Sequence, residues 1–232
     1  MKDFPVTPID RTSGRHHYKN SLEHGHTFYT WLKHKQRKMD GPAFEYLDHG
    51  EQNTRHQITK HLKGLVAPNT NAVDIGCRHG EFTRYLLWLC DHCYCFEYRN
   101  NSIFDYNVDT TRVTFFECVV GASHDQIRAS GRGKIRSKKI DPQWSPLEHG
   151  VLKQTYPLDA FQLENVGLIK IDVDGMDEEV CVGAEQTIEN YSPIIIVEQI
   201  DDEHDAVGRL KRRHGYQLEL VAGNDHVLVK KR

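Results

Sequence analysis

The chain has 232 residues, with 30 Lys and Arg against 33 Asp and Glu, and a formal charge of −3. Apolar residues make up 38% and charged residues 27%, which excludes a membrane-spanning protein, a collagen and a wholly disordered chain. The near-neutral balance also argues against a general nucleic-acid binder, which would be strongly basic.

The start, Met1-Lys2-Asp3-Phe4-Pro5, has no apolar stretch of the secretory kind, so a cytoplasmic protein is expected. Residues 1–20 are polar and basic, carry Pro5, Pro8 and Gly14, and read as a loose arm. A helix is predicted over 26–39, with Phe28, Trp31 and Leu32 on its apolar face and Gly41-Pro42 as its stop. A second is predicted over 52–65 from the spacing of Ile58, Leu62 and Leu65. Residues 1–50 are therefore expected as an arm and helical segment packed on a main domain, 51–232.

The pattern then changes to alternating strands and helices. Strands are predicted at 72–75, 93–97, 113–120, 168–173 and 193–198. Helices are predicted at 81–89, 101–107, 177–190 and 202–214. An antiparallel pair, 216–220 and 226–230, closes the chain around Gly223-Asn224-Asp225. Apolar strands alternating with helices indicate an α/β fold, a mostly parallel sheet covered on both faces. Residues 124–157 interrupt the rhythm and read as a hairpin or loop inserted after the third strand. Arg128, Arg132, Lys134, Arg136, Lys138 and Lys139 make it basic. It is either a solvated loop or a clamp over an anionic acceptor, since Arg and Lys pair with phosphate and carboxylate oxygens.

Cys90-Asp91-His92-Cys93 has the beginnings of a zinc pattern, but no second pair is spaced to complete four ligands. Cys93 and Cys95 are read instead as small hydrophobes of a buried strand.

Three strand ends carry chemistry. Val73-Asp74-Ile75-Gly76-Cys77-Arg78-His79-Gly80 is a strand followed by a glycine-bearing turn and a helix start. Glycines let backbone approach a ligand closely, and helix-start N–H groups point at it. Glu97 ends the next strand, where an acid can accept hydrogen bonds from ribose hydroxyls. Asp74 in this turn would repel a pyrophosphate and suit a ligand bearing an amino group and a sulfonium, so S-adenosylmethionine is favoured over a dinucleotide. Asp74, Gly76, Cys77, Gly80, Glu97, Asp172 and Val120, at the end of the third strand, are the candidate cofactor contacts.

The second end is Lys170-Ile171-Asp172-Val173-Asp174-Gly175. A period of two puts Lys170, Asp172 and Asp174 on one face. A lysine inside a strand needs a partner, and Asp172 is within reach. Asp174 and Asp177 also suit N-capping of the next helix. The third end is Glu198, followed by Asp201, Asp202, Glu203, His204 and Asp205. Acids there also suit the positive end of a helix dipole.

Taken with Leu158-Asp159 and Gly183-Ala184, these motifs resemble the FkbM-type S-adenosylmethionine-dependent methyltransferases over roughly residues 58–230. The resemblance implies a seven-stranded Rossmann-like methyltransferase fold and O-methylation, often of sugar or natural-product hydroxyls. Asp174 stands where the family usually has Glu, Tyr98 replaces a common proline, and Arg78-His79 makes the turn bulkier. The expected base is Asp172, with Asp174, Glu198 and His204 as alternatives. No metal site is assigned, although Asp172 and Asp174 offer oxygen ligands for magnesium or calcium. The expected acceptor is a saccharide-type hydroxyl. An RNA methyltransferase using the basic insert and an inactive cofactor-binding module are the rival readings.

Overall fold

A computed structural model describes residues 4–11, 49–100, 104–129, 151–173, 175–199 and 205–231. The helix expected at 26–39, the core of the basic insert, Asp174 and His204 lie outside the described residues.

The first helix among the described residues, α1 (His49–Leu62), ends in a turn at Gly64. It is followed by β1 (Asn71–Ile75), α2 (Thr83–Leu86), β2 (His92–Glu97), α3 (Phe104–Asn107) and β3 (Val113–Glu117). The small strands β4 (Val119–Val120), β5 (Asp125–Ala129) and β6 (Val151–Tyr156) come next. The chain then runs through β7 (Val166–Ile171), α4 (Asp177–Gly183), α5 (Glu185–Tyr191), β8 (Ile194–Glu198), α6 (Ala206–His214), β9 (Gln217–Ala222) and β10 (Asp225–Val229).

Among the described residues, seven strands form one sheet in the order β3-β2-β1-β7-β8-β10-β9. The first five are parallel, and β10 joins β8 antiparallel. This is the expected α/β architecture. The chain winds outward from β1 to β3 and returns beside β1 as β7, so the order reverses between β1 and β7. Open parallel sheets bind ligands beyond the strand ends at such a reversal.

The side-chain period of two sorts the strands into two cores. Val73, Ile75, Ile169, Ile171, Ile195 and Val197 face α4, α5 and α6. Ala72, Leu168, Ile194 and Ile196 face Ile58 and Leu62 of α1 and Leu86 of α2. Asp74, Lys170, Asp172 and Glu198 follow this second parity, so the polar residues of the strand ends stand on the α1–α2 side. The six cysteines are buried and unbridged.

Four elements differ from the sequence reading. The third strand breaks at Cys118, where Val119 and Val120 leave the main sheet to pair with Thr155 and Tyr156 of β6. The helix expected over 177–190 is two helices. Gly183 lies against the chain at Gly121, where an added Cβ would meet the Gly121 carbonyl at 2.0 Å. Asp159 then caps α5 afresh, accepting the N–H groups of Gln186 and Thr187 at 2.9 Å each. The helix after β1 shrinks to α2 because its flanking turns close with three-residue bonds, Tyr85 to Phe82 and Leu89 to Leu86. Residues 4–11, expected to be loose, lie on β3: Ile9 N–H donates to Phe115 O, and Arg11 is buried.

The inserted segment keeps its expected hairpin-like pairing at its base, with β5 antiparallel to β6. No helix among the described residues is long and apolar enough to cross a membrane.

The cap on α5 is a test of the break. Asp159→Ala leaves two helix N–H groups and the Thr187 hydroxyl without their acceptor. Loss of such a cap costs about 1–2 kcal/mol. Urea unfolding should show that loss, and an unchanged midpoint would mean α5 is held by packing alone.

Candidate active site

Parallel register aligns the strand ends in a row. Asp74 stands beside Lys170, Ile171 beside Val197, and Asp225 opposite Glu198. One step beyond the last β7–β8 pair, Asp172 and Glu198 are therefore neighbours. The row runs from Glu97 on β2 through the β1 turn, Asp172 and Glu198 to Asp225.

Lys170 is the centre of this row. Its side chain is 3% exposed, and its ammonium donates to Asp172 Oδ2 at 2.7 Å. It also lies 3.7 Å from Asp74 Oδ1 and 5.5 Å from the centroid of the Phe82 ring. Burial alone would strip its proton, but Asp172 and Asp74 hold it charged, well above the ordinary lysine range. The expected Lys170–Asp172 pair is present. Its second partner, Asp74, was not foreseen.

Asp74 is fully buried. Thr83 Oγ1 donates to Asp74 Oδ2 at 2.6 Å. Burial raises its pKa, opposed by the Lys170 charge and the Thr83 hydroxyl. The sequence reading set Asp74 facing a ligand. Its partners Lys170 and Thr83 lie within the protein, so its side chain sits beneath the turn.

Asp172 has 36% of its side chain exposed at the mouth. Burial would raise its pKa, yet Lys170 and a hydrogen bond from Glu198 carry it below the usual carboxylate range. The opposite holds for Glu198. Burial, then the Asp172 charge, push it up to about 8. The two carboxyls therefore share one proton at neutral pH, with Glu198 as donor and Asp172 as the anion.

The β1 turn is shaped by two glycines. Gly76 has φ +82°, and an added Cβ would sit 1.8 Å from the Asp172 carbonyl oxygen. That close approach brings β1 and β7 together at their ends. Gly80 has φ +75°, and its missing Cβ leaves room for Val108 and Phe104. Between them Arg78 takes φ +47° and donates its N–H to Glu97 Oε2 at 2.9 Å. Burial raises the Glu97 pKa, and the Arg78 N–H opposes the rise. Cys77 is buried behind the turn, its thiol pushed well up by burial.

The model of the methyltransferase FkbM domain matches residues 67–218. The chain belongs to this family. S-adenosylmethionine-dependent methyl transfer is the class of chemistry that follows from membership. No curated protein matches the sequence. Among solved structures, methyltransferase FkbM from Methylobacillus flagellatus KT is similar at TM-score 0.50 and 18% identity, over 72% of this chain and 45% of that one. This chain thus matches less than half the length of that protein. Precorrin-6y C5,15-methyltransferase from Geobacter metallireducens GS-15 gives TM-score 0.46 and 15% identity, over 81% of this chain and 91% of that one. An rRNA methylase from Streptococcus thermophilus gives 0.45 and 10%, over 80% and 99%.

In this FkbM domain the structure gathers Gly76, Asp172 and Glu198 at one reversal point, with Glu97 beside them at the end of β2. Val120 stands apart, buried in β4 among apolar neighbours and opposite Tyr156. Among the described residues, no group of three or more His, Cys, Asp or Glu could hold a metal ion.

Two neighbours of the row, Arg55 and Asp225, escaped the sequence reading, and a third, Asp177, was read there only as a helix cap. Arg55 of α1 lowers the pKa of both Asp74 and Asp172. Its position three residues before Ile58 puts it on the buried stripe of the helix, a signal available in the sequence. Asp225 reaches the row only through strand register. Asp177 is buried, accepts the N–H groups of Val173 and Gly175 at 3.3 Å each, and fixes the loop after β7. Burial pushes its pKa to about 6.

Two outcomes follow from this ion cluster. Lys170→Met leaves Asp74 buried without its cation and should cost about 3–5 kcal/mol in urea unfolding. Adding Asp74→Asn to it should recover part of the loss, and equal stability of parent and single variant would mean the cluster contributes nothing.

The second outcome concerns pH. Folded Glu198 holds its proton up to about pH 8, against an ordinary value of 4.5. Between these values the unfolded chain binds fewer protons, so stability falls as pH rises through the window. Glu198→Gln keeps a donor toward Asp172 but cannot titrate. The stability of the parent relative to this variant should fall steadily from pH 5 to pH 8.5, and a flat difference would remove the shared proton.

Proposed function

We propose that this FkbM domain is an O-methyltransferase that transfers the methyl group of S-adenosylmethionine to a hydroxyl of a sugar or natural product, with Asp172 as the base. The observation that carries this reading is the half-exposed Asp172 carboxylate, clamped by Lys170 at 2.7 Å at the sheet's reversal point.

The donor set fits the cofactor chemically. Glu97 suits a ribose diol, because a carboxylate accepts hydrogen bonds from neighbouring hydroxyls. The carboxylates of the row suit a ligand carrying a sulfonium and an ammonium group. The turn from Gly76 to Gly80 offers backbone with no side chain at either end. Glu97, Gly76, Cys77 and Gly80 would hold the cofactor, with Asp74 acting through the field beneath them. S-adenosylmethionine supplies a methyl group already activated as a sulfonium.

The protein then has a positioning task and a proton to accept. Lys170 fixes the Asp172 carboxylate on one oxygen. Asp172 accepts a hydrogen bond from the acceptor hydroxyl and takes its proton as the hydroxyl reacts, a contribution of roughly 10²–10⁴-fold. Glu198, protonated below about pH 8, holds Asp172 in place by donating to it. Asp174 and His204, outside the described residues, remain alternative bases, and the basic insert a candidate for acceptor contact if the acceptor is anionic.

The test is methyl transfer from labelled S-adenosylmethionine to a panel of saccharides, lipid-linked sugars, phenols and RNA, with parent and Asp172→Asn side by side. The expected result is transfer to a saccharide-type hydroxyl. For Asp172→Asn, kcat should fall at least about 10²-fold while S-adenosylhomocysteine binding holds. Transfer to RNA alone would sink the acceptor assignment. Normal turnover by Asp172→Asn would move the base to Glu198 or His204.

A further inference from the structure

We propose that Arg11 is a positioning residue that ties the N-terminal segment to the turn and loop forming the cofactor side of the site, so that cofactor binding and docking of residues 4–11 reinforce each other. The inference rests on the cofactor assignment just made.

The segment is anchored on β3, at the edge of the main sheet. Ile9 N–H donates to Phe115 O at 2.8 Å, and Phe4 meets the Phe116 ring edge-on at 5.0 Å between centroids. Arg11 then turns inward and is 6% exposed. Its guanidinium lies 3.9 Å from the Phe115 centroid and 4.9 Å from that of Phe104. It pairs with Asp105 of α3 and donates to the side chain of Asn100. A planar cation between aromatic rings, with two acceptors, is a geometry that lysine cannot copy.

Both acceptors follow Glu97 in the chain, Asn100 just after β2 and Asp105 within α3, and α3 packs onto the glycine turn. Asn107 is fully buried and donates from Nδ2 to His79 O at 2.8 Å. Phe104 and Val108 fill the space that Gly80 leaves by lacking a side chain. Three contacts therefore run in series: residues 4–11 to Arg11, Arg11 to α3, and α3 to the turn of Gly76–Gly80. A ligand that orders the turn must favour the docked segment, and the docked segment must favour the ligand by the same factor.

Two measurements on the full chain decide the matter. Calorimetry with S-adenosylhomocysteine should give a Kd raised about five- to twentyfold in Arg11→Gln, a range within ordinary coupling between sites. Arg11→Lys, which keeps the charge but not the fork, should fall between. Hydrogen exchange on the wild-type chain should show the Ile9 amide slowing when S-adenosylhomocysteine is added. A purely structural Arg11 would lower the melting temperature while leaving both the Kd of folded protein and the Ile9 response unchanged, and that result overturns the coupling. The exchange measurement decides alone if Arg11→Gln fails to fold. A wild-type chain that does not bind S-adenosylhomocysteine would overturn the cofactor assignment and this coupling together, whereas binding with an unmoved Ile9 amide and unmoved variant affinities overturns the coupling only.

Discussion

An ammonium group shut away from water needs negative charge at contact distance, because desolvation otherwise drives off its proton. Lys170 sits one residue from the end of β7, the strand that the crossover lays beside β1. Its neutralisation recruits a carboxylate from each strand, Asp74 from β1 and Asp172 from β7. The pairing fixes more than charge. It sets the β1–β7 register, which brings the Gly76 turn under the Asp172 carbonyl, and it leaves one face of Asp172 open at the mouth. Once Asp172 is ionised, Glu198 cannot be, since two carboxylates in contact do not both charge at neutral pH. The protonation states of the Asp172–Glu198 pair thus follow from one buried lysine.

The sequence carried the fold because periodicity survives translation into structure. Buried parallel strands are mostly apolar and short, and the segments read as strands at 72–75, 168–173 and 193–198 overlap β1, β7 and β8. The Lys170–Asp172 pair was legible for the same reason, since a two-residue step on a strand keeps side chains on one face. Breaks were harder to see. Nothing local distinguishes Gly183 from a tolerated helix glycine, because its reason is the distant backbone of Gly121. Val120 looked like the end of a sheet strand because its departure to β6 is decided by a partner thirty-six residues on, Tyr156. Asp225 looked like a turn residue, and only antiparallel register sets it opposite Glu198.

Asp74 shows where residue chemistry alone misleads. An acid inside a cofactor turn reads naturally as a ligand contact. In the fold it alternates inward with Ala72, and the hydroxyl of Thr83 meets it from α2. Its carboxylate is buried against Thr83 and Lys170, so only its field can extend to the turn above. Coulomb interactions through a poorly solvated interior decay slowly, whereas a hydrogen bond needs atoms at about 3 Å. A buried carboxylate beneath the turn can favour positive charge above it without touching anything there.

The same distinction bears on how the site tolerates its own charge. Asp74, Asp172 and Glu97 are carboxylates set close together, and an unrelieved cluster of that kind would open the strand ends by repulsion. Lys170 and Arg55 relieve it from the α1–α2 face, and the Arg78 N–H relieves Glu97 from within the turn. All three of these donors approach from the protein side. At the mouth Asp172 keeps 36% of its side chain exposed, so the field beside this carboxylate is negative. A bound anion would have to overcome that field, while a sulfonium or ammonium would be drawn into it. On the proposed function, the arrangement that keeps the fold intact would also favour a cationic ligand beside Asp172, and both trace to the side of the sheet from which the cations come.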